Sequence, residues 1–362
     1  MAGHSPTNPH WTWLAPAAAM GLLAAKFAHL VPPEHPAVLA LAALLLGAAV
    51  FAAVHHAEIL ALRLGEPFGS ILLAVAVTII EVGLIVSIML SGAEGAEGVA
   101  RDTVFAAVMI VLNGVIGLCL LLGGQRHHEQ LFQLQGAASA LAVLGTLAAI
   151  TLILPNFTLS APGPAYSSIQ VLVVGALSLF LWGAFVLAQT IRHRDYFLDA
   201  QADESPSERP KAAVAAASLA LLILALTAVI LLAKVLSAPL DRTIAASGLP
   251  KAFVGVVIAT IVLLPEGIAA TKSALRNRLQ NSINLAIGSA IASIGLTVPT
   301  VGVLAVTLAK PLDLGVSPSG MTLLVMTLFV STLTLGTGRT TALHGAIHLV
   351  IFVVFLLISA IP

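Results

Sequence analysis

Eleven stretches of this chain run for about twenty residues each with almost no charge, and that recurrence leaves little choice of fold. A helix rises ~1.5 Å per residue, so about 20 apolar residues cross a ~30 Å hydrocarbon layer with every backbone group bonded internally. The windows are Trp11–Val31, Pro36–Leu60, Phe68–Leu90, Thr103–Leu122, Gly136–Leu154 and Ser167–Ile191, then Ala212–Leu236, Ala252–Leu275, Ile283–Leu308, Met321–Leu335 and Thr341–Ile361. Hydrophobic residues make up 59% of the chain and charged residues 9%, where soluble domains hold roughly 45–50% and 25%. Mean hydropathy is +1.06. The expectation is an all-α polytopic membrane protein of about 11 transmembrane helices, with the lipid bilayer as its first partner.

The same figures exclude other classes. A net charge of zero offers no basic face to nucleic acid. The one cysteine, Cys119, lies inside an apolar window, so neither a disulfide framework nor a thiolate metal site is available. Met1 to His10 lacks Lys and Arg, so the first window reads as a retained span and not a signal peptide.

The longest polar segment, Arg192–Lys211, is rich in acids (Asp195, Asp199, Asp203, Glu204, Glu208). It divides the chain into a first helix (1–35), five spans (36–191), a cytoplasmic linker (192–211) and five more spans (212–362). Acids in such a linker either sense a divalent cation or are simply solvated. With the N-terminus inside, ten Lys and Arg fall on the inner side and six on the outer, which places the C-terminus outside. Five spans is an odd number, so the two halves face opposite ways, the inverted-repeat pattern of secondary transporters. The tenth window is short and runs into LGTGR, which suggests a broken or re-entrant element.

Of sixteen acids, Glu81 and Glu266 alone fall well inside a window, each in the second span of its half. An ionisable group at that depth is costly and marks function by default; the alternative is a protonated Glu hydrogen-bonded between helices. Desolvation raises a buried carboxyl pKa by up to ~3–5 units, within reach of neutral pH, while an arriving cation favours the charged form. One site can thus alternate between a cation and protons. Calcium prefers about 6–8 oxygens and two carboxylates give at most four, so further ligands are needed. Candidates are Thr78, Ser289, Ser293 and Asn113, with an ordinary back-bond to the helix as the alternative for each hydroxyl. Pro265 frees a carbonyl one turn before Glu266, and Gly69, Gly83, Gly255, Gly267 and Gly288 suit close backbone approach.

His344 and His348 share one face of the last span and suit a proton relay, half a metal site or interior polar packing. His55 and His56, beside Glu58, suit a proton entry or a solvated span end.

At these residues the chain resembles the cation/proton exchangers of the calcium:cation antiporter superfamily, most of all the bacterial ChaA-type calcium(sodium)/proton branch. Ala57–Glu81, AEILALRLGEPFGSILLAVAVTIIE, is similar to the family's first conserved repeat, and Pro265–Pro299 to its second. RDTVFAAVMIVLNGVIGLCLLLGG resembles the fourth family helix and GRTTALHGAIHLVIFVVFLL the last. The resemblance implies a one-plus-five-plus-five helix fold in a bacterial inner membrane and exchange of cytoplasmic Ca2+, Na+ or K+ for H+. It implies no cofactor, and it matches the family's repeat glutamates to Glu81 and Glu266. One departure stands out. The usual repeat reads Gly-Asn-x-x-Glu, whereas this chain has Val77-Thr78 and Val262-Leu263. Without those amide oxygens, sodium or potassium stands beside calcium as cargo.

Two other classes fit less well. An intramembrane metalloprotease needs His-Glu-x-x-His, which is absent, and a serine protease would have to pair Ser289 with His344. A proton-coupled carrier of organic solutes needs an aromatic-lined pocket, and aromatics are 5%. The chain is therefore read as an antiporter and not an enzyme.

Overall fold

Apolar runs of spanning length become helices almost throughout the computed structural model, which describes residues 9–32, 35–65, 68–90, 95–199 and 209–362. In chain order these are α1 (His10–Phe27), α2 (Pro36–Leu64), α3 (Phe68–Met89), α4 (Val99–Met109) and α5 (Ile116–His127). Strand β1 (Glu129–Leu131) leads to α6 (Leu134–Ala148), α7 (Ser168–Leu187), α8 (Ala212–Ala246), α9 (Phe253–Leu275) and α10 (Leu279–Thr307). The chain closes with α11 (Pro318–Leu335), β2 (Arg339–Thr341) and α12 (Ala342–Ala360). Among the described residues ten helices are long and apolar enough to cross a membrane. Helix α1 covers most of the first expected window but is not among them.

Three findings depart from the sequence reading. First, α8 does not stop at Leu236 but runs to Ala246 with Pro239 inside it; a helix can outlast its apolar stretch when its polar end meets water. Second, α11 is unbroken, and LGTGR is a turn into β2, with Gly338 at φ +73° where a left-handed residue is needed. Third, the irregular backbone lies elsewhere. Wide i→i+5 turns interrupt the fourth span at Ile110–Val115, the fifth at Ala149–Ile153 and the sixth at Ala188–Arg192. Such π turns concentrate at functional sites.

By contacts the elements sort into two units. One holds α1, α2, α3 and α8; the other holds the rest. In the first, alanines let long helices approach: Ala42, Ala49, Ala52, Ala53 and Ala57 of α2 are buried, as are Ala225, Ala228 and Ala233 of α8. A Cβ on Gly69 would lie 2.6 Å from the Ala61 carbonyl oxygen, so α3 starts hard against α2. Gly83 receives the Ile230 side chain of α8.

In the second unit α10 is the axis, buried along its length from Leu279 to Ala305. It packs on α7 where Gly175 meets Pro299 and Gly295 meets Trp182. Gly255 of α9 lies on the Asp102 backbone of α4, and Gly267 lies against Val115 of the π turn. Gly288, by contrast, has nothing near the place of its missing Cβ, so no close approach explains it.

Strands β1 and β2 pair antiparallel, Glu129 opposite Thr341. Gln130 points from this pair to the end of α9, its Nε2 donating to Ala274 O at 2.9 Å and Asn277 Oδ1 at 3.0 Å. Replacing Gln130 by Leu removes both bonds and is expected to cost about 1–3 kcal/mol. The check is a lower melting temperature of the variant in detergent.

Candidate functional site

Glu81 and Glu266 occupy matching positions on their own helices, thirteen residues after Phe68 and thirteen after Phe253, the first residues of α3 and α9. At ~1.5 Å per residue that is about 20 Å along each helix. Glu81 is 3% exposed and Glu266 8%. A carboxylate so buried has to be protonated, paired or coordinated, because an isolated charge there is too costly.

In the first unit Thr78 stands one turn before Glu81 and is buried on the same helix. His56 is fully buried, with Nε2 3.2 Å from the Thr12 carbonyl oxygen of α1. His55 contacts the rings of Trp11 and His56 at centroid distances of 6.3 and 5.5 Å. His55 Nε2 and His56 Nδ1 have no hydrogen-bond partner among the described residues. The pair thus packs beneath α1 as well as lying near a span end.

In the second unit Pro265 precedes Glu266 inside α9 and removes the N–H that would bond Ile261 O. Ser293 is buried on α10, the helix beside α9, with Ser289 half-buried one turn earlier. Asn113 is not a loose lining group. It sits fully buried in the π turn, where Nδ2 donates to Thr327 Oγ1 at 2.9 Å and Oδ1 faces His348 Nδ1 at 3.1 Å. On the far side of that ring, Nε2 lies 2.8 Å from Thr334 Oγ1.

His344 does not join this group. Its Nδ1 accepts from the Thr341 N–H at 3.4 Å and completes the cap of α12. The structure therefore separates the two histidines that share a helix face. Sequence reading missed Thr327, Ser331 and Thr334, all buried on α11. Their i, i+4, i+7 spacing in an apolar span was the available signal.

A cavity of about 540 Å³ opens in the same unit, lined by Arg101, Asp102, Asn156, Ser317 and Ser319 among others. Arg101 Nε donates to Asp102 Oδ1 at 2.7 Å, and the Asp313 N–H donates to Glu97 O at 3.0 Å. Burial pushes the Asp313 carboxyl above its ordinary range; the Arg101 guanidinium opposes this, while Glu97 and Asp102 add to it.

Of the acid-rich linker, Asp195 and Asp199 are described, whereas Asp203, Glu204 and Glu208 lie outside the described residues. Among the described residues no three of His, Cys, Asp and Glu are grouped to hold a metal ion.

Comparison with known proteins divides the chain by sequence halves and not by the two contact units. A family model described as sodium/calcium exchanger protein matches twice, at residues 34–191 and 217–361. The chain is 59% identical to y4hA of Sinorhizobium fredii, an ionic transporter by name, over 98% of this chain and 97% of that one. It is 36% identical to the sodium-potassium/proton antiporter ChaA of Escherichia coli, over 85% and 84%. Among solved structures, native YfkE superposes with a TM-score of 0.75 at 16% identity, covering 97% of this chain and all of that one. The H+/Ca2+ exchanger CAX gives 0.66 at 16% identity, over 96% and 87%. These last two likenesses speak to fold.

Proposed function

Because this chain belongs to the sodium/calcium exchanger protein family, we propose that Glu81 and Glu266 are the cation/proton site it shares between cargo and coupling ion. The protein is a multi-pass membrane antiporter that exchanges cations for protons, and not an enzyme. One observation carries the assignment of the site. Each stretch matched by the family contains one deeply buried carboxylate at the same distance along its helix.

The two matched stretches support two inverted repeats of five spans each, with α1 as an added first helix. In this reading the N-terminus is cytoplasmic, the C-terminus is outside and the membrane is the bacterial inner membrane. Protonated, each carboxyl is neutral and at home in a low-dielectric interior. A cation reaching the same oxygens displaces the protons, and competition couples the two fluxes. Thr78, Ser289, Ser293 and the carbonyl of Ile261 add neutral oxygens. A proton gradient then drives cation export with ~1.4 kcal/mol per proton per pH unit.

The cargo reading favours sodium or potassium over calcium. Thr78 and Leu263 stand where amide side chains would supply the extra oxygens calcium demands. The relative at 36% identity is named for sodium and potassium, the one at 23% for calcium.

The test is proton flux in proteoliposomes, ion by ion. Sodium or potassium should each drive proton release at concentrations where an organic cation such as choline does not. Release that no inorganic cation drives, but an organic solute does, would replace this reading with a solute carrier.

A further inference from the structure

Helix α9 has a second face that the exchange chemistry does not use. Thr260, Leu263, Leu264, Gly267, Ile268 and Thr271 fall at i, i+3, i+4, i+7, i+8 and i+11, one stripe along the helix. Glu266 is turned about 100° from Gly267 and lies off that stripe. The stripe forms one wall of a groove of about 530 Å³. Ile110, Gly114 and Leu118, along the π turn and α5, make the second wall, and Leu349 and Phe352 of α12 the third.

The groove is apolar even where its sequence is not. Its two hydroxyls are committed to their own helix: Thr260 Oγ1 donates to Val256 O at 2.7 Å and Thr271 Oγ1 to Gly267 O at 2.8 Å. Glycine keeps it open, because a Cβ on Gly114 would stand 3.3 Å from the Phe352 ring and narrow the gap between the π turn and α12. Water finds too few partners in such a cleft, and an inorganic ion none that offset its desolvation. Leu264 is 46% exposed and Ile268 39%, so the groove is open along its outer side. In a chain that crosses a bilayer, the medium beside that opening is lipid.

Length and charge say which part of a lipid fits. Lys272 stands in the last turn of α9 and ends the groove. From Thr260 to Lys272 the helix rises twelve residues, about 18 Å. One leaflet of a ~30 Å hydrocarbon core is about 15 Å deep. The groove therefore runs from head-group level to the middle of the membrane.

Lys272 is exposed, and its long stem can lie on the apolar wall while the ammonium reaches the head groups. It has company. His127 Nε2 lies 3.0 Å from Leu275 O, so the end of α5 meets the end of α9 and sets Arg126 at the same rim as Lys272 and Arg276. All three bases are exposed. The π turn, α5 and α12 contain no acid, and Glu129 of β1 faces Arg339 at 3.5 Å. A phosphate with a net negative head group complements this rim. A base that only marks a span end needs no groove behind it, and here the two coincide.

We propose that this groove is a binding site for an anionic phospholipid, its phosphate at Lys272 and one acyl chain lying between α9, the π turn and α12. Three helices hold that chain at once, which sets it apart from lipid that merely surrounds the protein. In the orientation proposed above it belongs to the cytoplasmic leaflet.

The experiment uses the full-length protein in detergent, mixed with phosphatidylglycerol or with zwitterionic phosphatidylcholine of the same chains. Native mass spectrometry counts the lipids retained. Expected is one phosphatidylglycerol held about fivefold more strongly than phosphatidylcholine, the factor that one favourable charge gives at a membrane surface. Lys272→Gln should erase this preference and Lys272→Arg should keep it. Phosphatidylglycerol with a photoreactive group midway along one chain should cross-link to residues 110–118, 260–271 or 349–352. Leu118→Phe together with Leu264→Phe, which fills the groove and leaves the charge, should remove those cross-links. Equal retention of the two lipids by the parent overturns the proposal, and so does a preference unchanged in Lys272→Gln. Cross-links scattered over the outer faces of many spans mean surrounding lipid only and overturn it as well. So does a dimer in which the groove residues cross-link to a second copy of the chain. Should Lys272→Gln fail to fold, the photolabelled parent decides alone.

Discussion

Everted vesicles containing Glu266→Gln, or Glu81→Gln, are expected to show no cation-driven proton release. Glutamine matches glutamate in volume and hydrogen-bonding reach, so packing around α9 and α3 survives. It cannot ionise, so it neither binds a cation by charge nor delivers a proton. Each substitution removes half of the proposed exchange chemistry, and a site that must be emptied of protons to accept cargo does not work at half strength. The expected loss exceeds ~100-fold, the low end of what removing a positioned acid–base group costs. Quenching of a pH-sensitive dye, reversed by sodium, potassium or calcium in turn, gives the measurement. A melting temperature within a few degrees of the parent shows that the fold is intact. Wild-type exchange in either variant would remove the carboxylates from the mechanism.

A comparably large effect is expected at a position with no part in the proposed exchange chemistry. Gly345 of α12 is where that helix meets α5. A Cβ there would run into the Leu121 backbone nitrogen and lie 2.6 Å from the Gly117 carbonyl oxygen. Backbone atoms cannot swing aside as a flexible side chain can. Overpacking of this kind commonly costs 1–3 kcal/mol, and a branched side chain against two backbone atoms should exceed ~3 kcal/mol. Gly345→Val is therefore expected to abolish recovery of monodisperse protein from detergent. Gly288→Ala is the control: with open space at its missing Cβ, it should hold or gain stability, since Ala suits a helix interior better by ~0.5–1 kcal/mol. Equal yields of the two variants would mean that α5 and α12 do not pack as described.

Hydropathy made the helices legible, because a bilayer demands the same solution from every span. The same uniformity hid what breaks them. Nothing in IVLNGV marks a π turn, since widening a helix by one residue changes neither its composition nor its length by much. The end of α8 was hidden for the opposite reason: Asp241 and Arg242 look like a loop, and they are simply the wet end of a helix. Isolated carboxylates in apolar runs were easy to see. Thr327, Ser331 and Thr334 were not, because most hydroxyls in spans bond back to their own helix, as Thr332 does to Leu328 O at 2.8 Å. His344 and His348 looked equivalent by spacing. A capping role for one and a buried circuit for the other depend on where α12 begins, which hydropathy does not locate.

The wide turn at Ile110–Val115 bears on how relatives of this chain may be compared and altered. Each residue of an ordinary helix advances the facing by ~100°, and one surplus residue resets the bearing of everything after it. Upstream, Asp102 and Thr103 address α9; downstream, Gly117 addresses α12. Trimming a single amino acid from this segment would leave a span of unremarkable length and greasiness with its two ends indexed to the wrong neighbours. A one-position gap here is a change of gearing, and an alignment that treats it as noise would misplace Asn113.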